Sequence, residues 1–158
     1  MAADIFAKLG DIKGESLDSK HKDEIELLSW SWGVTNSKPH ATGGGASAGK
    51  ATFHDFSFTH KIDKASPLLL KGCATGQHLK EATITRRKAG KGQQEYLVIK
   101  LNDVVITSVA EEDSGSGQVE SVTIAFAKVD LEYRPQKQDG SLDAGIHFKY
   151  DIKANKEF

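Results

Sequence analysis

The chain has 158 residues, a length suited to one domain, and its single cysteine, Cys73, excludes an intramolecular disulfide. Its 21 Lys and Arg against 22 Asp and Glu leave a net charge of −1, which excludes bulk electrostatic attraction to nucleic acid or an anionic membrane. No apolar run approaches the length of a membrane span, and Asp4 among alternating apolar residues makes the first ten positions unlike a secretory leader.

Most of the chain alternates with period two. Ile5, Ala7 and Leu9 predict an opening strand. From Asp23 to Val34 the apolar set begins on the odd positions Ile25 and Leu27, then moves to Leu28, Trp30, Trp32 and Val34. Similar slips separate Phe53 from Phe56 and Phe58, and Val122, Ile124 and Phe126 from Val129, Leu131 and Tyr133. A one-residue shift exchanges faces, so each slip predicts a bulge, a bend or a strand passing to a different contact. Ser66-Pro67 predicts a helix start, with Ser66 as cap, a core stripe of Leu68, Leu69, Leu70, Cys73 and Ala74, and a stop at Gly76. Tyr96–Leu101 and Val104–Val109 are apolar on both faces and predict a tight hairpin about Asn102-Asp103. Ile146, Phe148, Tyr150 and Ile152 alternate with charged or polar residues as a half-buried strand. No repeat or composition break divides residues 1–158, which predicts one mainly β domain; bent strands of this length suit a closed or nearly closed barrel.

The candidate catalytic motifs fail on chemistry. Gly44-Gly45-Ala46-Ser47-Ala48-Gly49-Lys50 matches the first seven positions of a phosphate-binding loop, but Ala51 stands where a magnesium-binding hydroxyl is needed. A flexible connection accounts better for this glycine-rich stretch. His54 and His60 have no compact metal-ligand spacing, His21 lies between Lys20 and Lys22, and solvated surface histidines are expected. Asp55, in an aromatic strand, is a candidate for partial burial, whereas Glu24 and Glu26 read as one wet strand face. Arg86-Arg87-Lys88 has no interleaved aromatic platform, so it reads as a charged strand edge or an intersubunit salt-bridge site. Trp30 and Trp32 share a face; core packing explains at least one, and a subunit interface is the alternative for the other. Ser29 and Ser31 then point the opposite way, toward water or cargo.

Several segments together carry a resemblance: Gly14-Glu15-Ser16, Asp18, Lys20-His21, Glu24 through Gly33 with Ser29-Trp30-Ser31-Trp32, Phe56-Ser57-Phe58-Thr59, Asp63 through Leu68, and Cys73-Ala74-Thr75-Gly76. In order and over essentially the whole chain they resemble the haemolysin-coregulated protein (Hcp) family. The resemblance implies a small β-barrel of two sheets, similar to phage tail-tube proteins, with one α-helix and extended loops. It also implies a homo-hexameric ring that stacks into the inner tube of the type VI secretion machine. Its partners would be the machine's spike and sheath components and effector proteins held in the lumen, with no cofactor, no metal and no membrane insertion. The protein would assemble in the bacterial cytoplasm and leave the cell without a cleaved signal peptide, and no toxin domain is expected after the last strand. On this footing Ser29 and Ser31 are expected to face the lumen, and Thr42, Gly43, Gly44, Gly45, Ala46, Ser47 and Ala48 to reach an adjacent ring. The competing readings are a monomeric or dimeric ligand-binding barrel lined by Trp30, Trp32 and Phe56, and a hydrolase using Asp55 and a histidine.

Overall fold

A computed structural model of the protein describes residues 4–37, 50–89 and 92–158. In chain order it has β1 (Ile5–Leu9), β2 (Ile25–Glu26), β3 (Ser29–Ser31), β4 (Val34–Asn36), β5 (Ala51–Phe53), β6 (Phe56–Lys61) and α1 (Ser66–Thr75). Then follow β7 (His78–Arg87), β8 (Glu95–Ser114), β9 (Gly117–Ala125), β10 (Lys128–Tyr133), β11 (Ile146–Asp151) and β12 (Lys156–Glu157). Ten strands form one sheet, and β4 with β5 forms a second.

The spine is β8. Its first part lies between β7 and β10, and its second part pairs with β9. The tight hairpin expected at Asn102-Asp103 is absent. Leu101 instead pairs with Ala82 and Val129, Val104 pairs with Leu79, and the strand runs on to Ser114. Asp103 takes a positive φ of 57°, so the turn-forming dipeptide bends the strand without reversing it, and the Asn102 carbonyl accepts a hydrogen bond from the Ala127 N–H. The two faces are not equivalent: Ile99, Leu101, Val104 and Ile106 point into the core, whereas Tyr96, Val98 and Val105 are half-buried on the other face.

Each phase slip marks a change of partner. The expected strand over 23–34 is three short ones: β2 pairs with β1, β3 with β6 and β4 with β5. Between the first two, the Leu27 N–H donates to the Ile5 carbonyl at 2.9 Å and the Leu28 N–H to the Thr59 carbonyl at 2.8 Å. These two bonds bridge the circuit β1–β7–β8–β9–β6–β3, but among the described residues no strand ladder completes it, so the barrel is not closed. Val122–Tyr133 likewise divides into β9 and β10, which take successive stretches of one edge of β8.

The core is assembled from β1, β6, β7, β8 and β9, with Phe56, Phe58, Ile84, Ile99, Leu101 and Ile124 all shielded from solvent. The helix covers one end of it. Its cap is Ala65; Ser66 lies inside the helix, where its Oγ accepts from the Asp63 N–H. Gly76 ends the helix at φ 68°, a conformation that glycine adopts without a side-chain clash. Only part of the expected stripe faces inward: Leu69 and Gly72 are buried and Cys73 packs against the core, whereas Leu68 and Leu70 are 44% and 43% exposed. Burial of Leu69 alone contributes about 2 kcal/mol, and a Cβ on Gly72 would press to 3.0 Å from Ile106.

Candidate functional site

Strands β3, β6, β9 and the distal part of β8 lie side by side, and their registers align two rows of small residues. Ser29 pairs with Thr59, Thr59 with Ser121 and Ser121 with Ala110; Ser31 pairs with Ser57, Ser57 with Thr123 and Thr123 with Ser108. Alternation sends these residues to one face and Trp30, Phe56, Phe58, Val122 and Ile124 to the core. Ser29 Oγ lies 2.6 Å from Thr59 Oγ1, and Ser57 Oγ 3.1 Å from Thr123 Oγ1. The β8 bulge between Ile106 and Ser108 brings in Thr107, whose hydroxyl is within hydrogen-bond distance of Asp55 Oδ2 and the Thr123 carbonyl. Asp55 is thus an exposed acceptor, not the partly buried acid that an aromatic strand suggested. The result is a hydroxyl surface whose two central rows carry no charge, with Ser29 and Ser31 exposed on it.

Both tryptophans pack within the chain. Trp30 stacks on Phe56 with ring centres 5.5 Å apart. Trp32 meets Phe53, Phe126 and Phe148, and Phe53 in turn meets Tyr150 at 4.9 Å, so an aromatic cluster fastens the small β4–β5 sheet to β11. The Trp32 indole nitrogen is buried with no acceptor among the described residues. The segment Thr42–Ala48 lies outside the described residues; the strands at its root are joined by pairs from Val34↔Phe53 to Asn36↔Ala51.

The basic trio divides. Arg87 departs from the expected intersubunit charge: it is 2% exposed, donates through Nη2 to Asp18 Oδ2, and lies 4.8 Å from the centre of the Phe6 ring. The guanidinium holds the Asp18 carboxyl well below the usual carboxylate range. Arg86 is half-buried opposite Ile5 and Leu97, and Lys88 donates to Gln136 Oε1 while lying over the Tyr96 ring. His21 also departs from the surface expectation. It stacks on Phe6 at 4.4 Å and bridges Glu24 and Glu95 at 3.0 and 2.7 Å, which compensates its burial. These contacts, with Gly14 appressed to the Glu24 backbone, make the segment from Gly14 to His21 a structural clasp.

His60 is the second buried histidine, and sequence spacing gave no sign of its partners. Its Nε2 lies 2.6 Å from Glu120 Oε1, both side chains are fully shielded, and Glu120 faces Glu111 in the β8–β9 register. Burial pushes the imidazole down and also pushes neighbouring Asp63 up. Glu111 is pushed up to about 7, first by its hydrogen bond with Glu120 and then by desolvation. Glu111 and Glu120 face each other across the β8–β9 hairpin, but His60 lies 60 residues before Glu120, so the register was needed to reveal the whole row. Among the described residues no group of three or more His, Cys, Asp or Glu side chains has a geometry that could hold a metal ion.

Apolar surface remains outside the core. Tyr133 and Ile146 are cross-strand partners, 42% and 66% exposed, and Tyr96 meets Tyr133 edge-on. Elsewhere Leu17 and Leu28 are exposed, and Leu28 borders a groove of about 440 Å³ with Glu15, Lys61 and Asp63. A larger groove of about 740 Å³ runs between α1 and β7, lined by Leu68, Lys71, His78 and Lys80.

Comparison with known proteins places these features. Residues 6–133 match the family described as "Type VI secretion system effector, Hcp". A protein named hcp1 from Pseudomonas aeruginosa is 45% identical over 159 residues, covering 98% of each chain. Among solved structures, "Structure of a type six secretion system protein" superposes with a TM-score of 0.92 at 27% identity, covering 99% of this chain and 100% of the other. Hcp1 from Salmonella typhimurium superposes with a TM-score of 0.82 at 38% identity over the full length of both chains.

Proposed function

The chain belongs to the Hcp family of the type VI secretion system, and from that premise we propose that it is a ring-forming subunit of the secreted inner tube, carrying effectors in the ring's lumen. The observation that carries this reading is the double-sided sheet β3–β6–β9–β8. Its back is core, and its front is a continuous hydroxyl surface with no charge in its central rows. Such a front can exchange hydrogen bonds with many polypeptide surfaces without a deep well that would arrest passage. Ser29 and Ser31 line the lumen in this reading, beside Ser57, Thr59 and Thr123.

The remaining apolar surface suits a heterologous ring, in which two different lateral patches must meet. Tyr133 with its cross-strand partner Ile146 supplies one such patch, and exposed Leu28 and Leu17 add apolar surface elsewhere. Arg86 and Lys88 are the members of the basic trio left for contact between subunits. Thr42–Ala48 reaches the adjacent ring, and the finished tube engages the sheath and spike. Assembly is cytoplasmic, followed by export without a cleaved leader, and the protein performs no catalytic step.

The ligand-barrel alternative is weakened by Phe56, which is fully buried and cannot line an open pocket. Light scattering after size exclusion, followed by negative-stain microscopy, tests the proposal: open-centred hexamers are expected, and a compact monomer or dimer overturns it. Ser31→Gln should leave rings intact and reduce effector retention. Protection of Ser31 between subunits would refute the lumen assignment. Deletion of Thr42–Ala48 should spare rings and abolish tubes.

A further inference from the structure

On its core side, the sheet carries a row of ionisable groups where apolar ones would be expected. Glu111 of β8 stands opposite Glu120 of β9, and Glu120 stands opposite His60 of β6. Glu120 Oε1 is engaged by His60 Nε2, but Glu120 Oε2 is buried and receives no hydrogen bond from any nitrogen or hydroxyl among the described residues. The residue opposite Glu120 on β8 is Glu111. Two ionised carboxylates side by side repel, whereas a protonated Glu111 supplies an O–H donor to the orphaned oxygen. Among the described residues, no Lys or Arg forms an ion pair with either acid.

Of the surrounding charges, His60 opposes the upward push on Glu111, but less than the Glu120 hydrogen bond and desolvation raise it. From β6 comes His60, whose Nδ1 faces Asp63 Oδ2 at 3.8 Å, with Lys61 in the adjoining position beside Val119. Asp63 lies between β6 and α1 and is influenced by Glu15 and Lys64. Beyond the row, β8 continues with Glu112 and Asp113, and Gln118 of β9 donates to Asp113 Oδ2. The hairpin end beyond the row is therefore acidic.

We propose that Glu111 and Glu120 share one proton, and that this proton is a latch on the outer part of the β8–β9 hairpin. With it bound, the Glu111 O–H closes onto Glu120 Oε2 and the hairpin holds together to its tip. When it leaves, Glu111 turns to solvent and residues 111–120 open more often. Glu111 is exposed, so it can exchange its proton with water while Glu120 and His60 stay buried.

The latch has a definite pH signature. The closed hairpin binds the proton more tightly than the open one, so closure is strongest in acid. It weakens as pH rises from the ordinary carboxyl range to about 7, and is level above that. One linked proton gives at most about a tenfold change per pH unit.

Hydrogen-exchange protection factors for the amides of residues 112–119, in the full chain at pH 5.5, 6.5 and 7.5, test this. Protection should fall about sevenfold between the first two values and about threefold between the last two. In Glu111→Gln the carboxamide N–H supplies the bond at every pH, so the profile should be flat; Glu112→Gln should titrate like the parent. Carboxyl NMR should assign the midpoint near 7 to Glu111. A Glu111 midpoint in the ordinary carboxylate range, or the same pH profile in Glu111→Gln, overturns the proposal.

Discussion

Arg87 Nη2 donates to Asp18 Oδ2 across 69 residues of sequence, and the same guanidinium lies over the ring of Phe6. The pair is asymmetric: the Arg87 side chain is 1% exposed and that of Asp18 is 17%. Arg87 Nε and Nη1 have no other partner among the described residues, so Asp18 is the main compensation for a buried charge.

Removal of either partner should therefore have unequal effects. Asp18→Ala leaves the guanidinium unpaired and should cost about 3 kcal/mol in urea unfolding. Arg87→Met fills the same space without charge, and Asp18 can rehydrate, so its cost should be about 1 kcal/mol. Equal costs would show that the pair is not organised around the buried cation.

The same pair sets a pH dependence. The Asp18 carboxyl is held below its unfolded value, so its contribution is complete above the usual carboxylate range and is lost progressively below that range, down through the depressed folded-state value. Asp18→Asn should unfold with a shallower acid limb than the parent below about pH 4, as followed by circular dichroism.

Gly14 is tested by a single methyl group. A Cβ there would stand 2.5 Å from the Glu24 carbonyl oxygen, in backbone that cannot yield without breaking the Gly14–Asp23 and Ser16–Glu24 hydrogen bonds. Gly14→Ala should cost about 2 kcal/mol or more in thermal unfolding. Gly115, whose Cβ would meet nothing within 4 Å, should accept alanine with little change.

The course of the chain was legible wherever alternation was unbroken, as in Ile5–Leu9 and Ile146–Asp151. The phase slips told correctly that contacts change, because the face a residue occupies is a local property. Which strand takes over is not local: Trp30 meets Phe58 and Val34 meets Phe53 through pairings that no window of sequence contains. Asn102-Asp103 misled because its backbone preference is satisfied equally by a reversal and by a bend. The Ser29 and Ser31 face was legible as alternation, but its extension through Thr59 and Thr123 required the register. Buried His60 was not legible because its carboxylate partner, Glu120, is distant in sequence, and His21 because only one of its two partners, Glu24, is near in sequence while Glu95 and the Phe6 ring are not.

The two-sided role of α1 gives another test. Leu69→Ala should cost about 3 kcal/mol by removing a buried side chain. Leu68→Ser and Leu70→Ser should each change stability by less than about 1 kcal/mol, since much of each side chain is already in water. Urea titrations of the three variants should separate them clearly; a large loss in Leu68→Ser would mean that its exposed area is not free in solution.

Trp32 separates the value of an aromatic ring from the cost of its nitrogen. The ring joins the β4–β5 sheet to Phe148 on β11, but the buried indole N–H finds no acceptor among the described residues. Trp32→Phe removes the unpaired donor together with some contact area, and the two effects should nearly cancel, leaving stability within about 1 kcal/mol of the parent. Trp32→Ala removes the whole clamp and should cost about 3 kcal/mol, with added hydrogen exchange at Val34–Asn36 and Ala51–Phe53. Exchange that rises equally in both variants would assign the anchoring of this small sheet to the indole nitrogen; exchange confined to Trp32→Ala would assign it to aromatic packing.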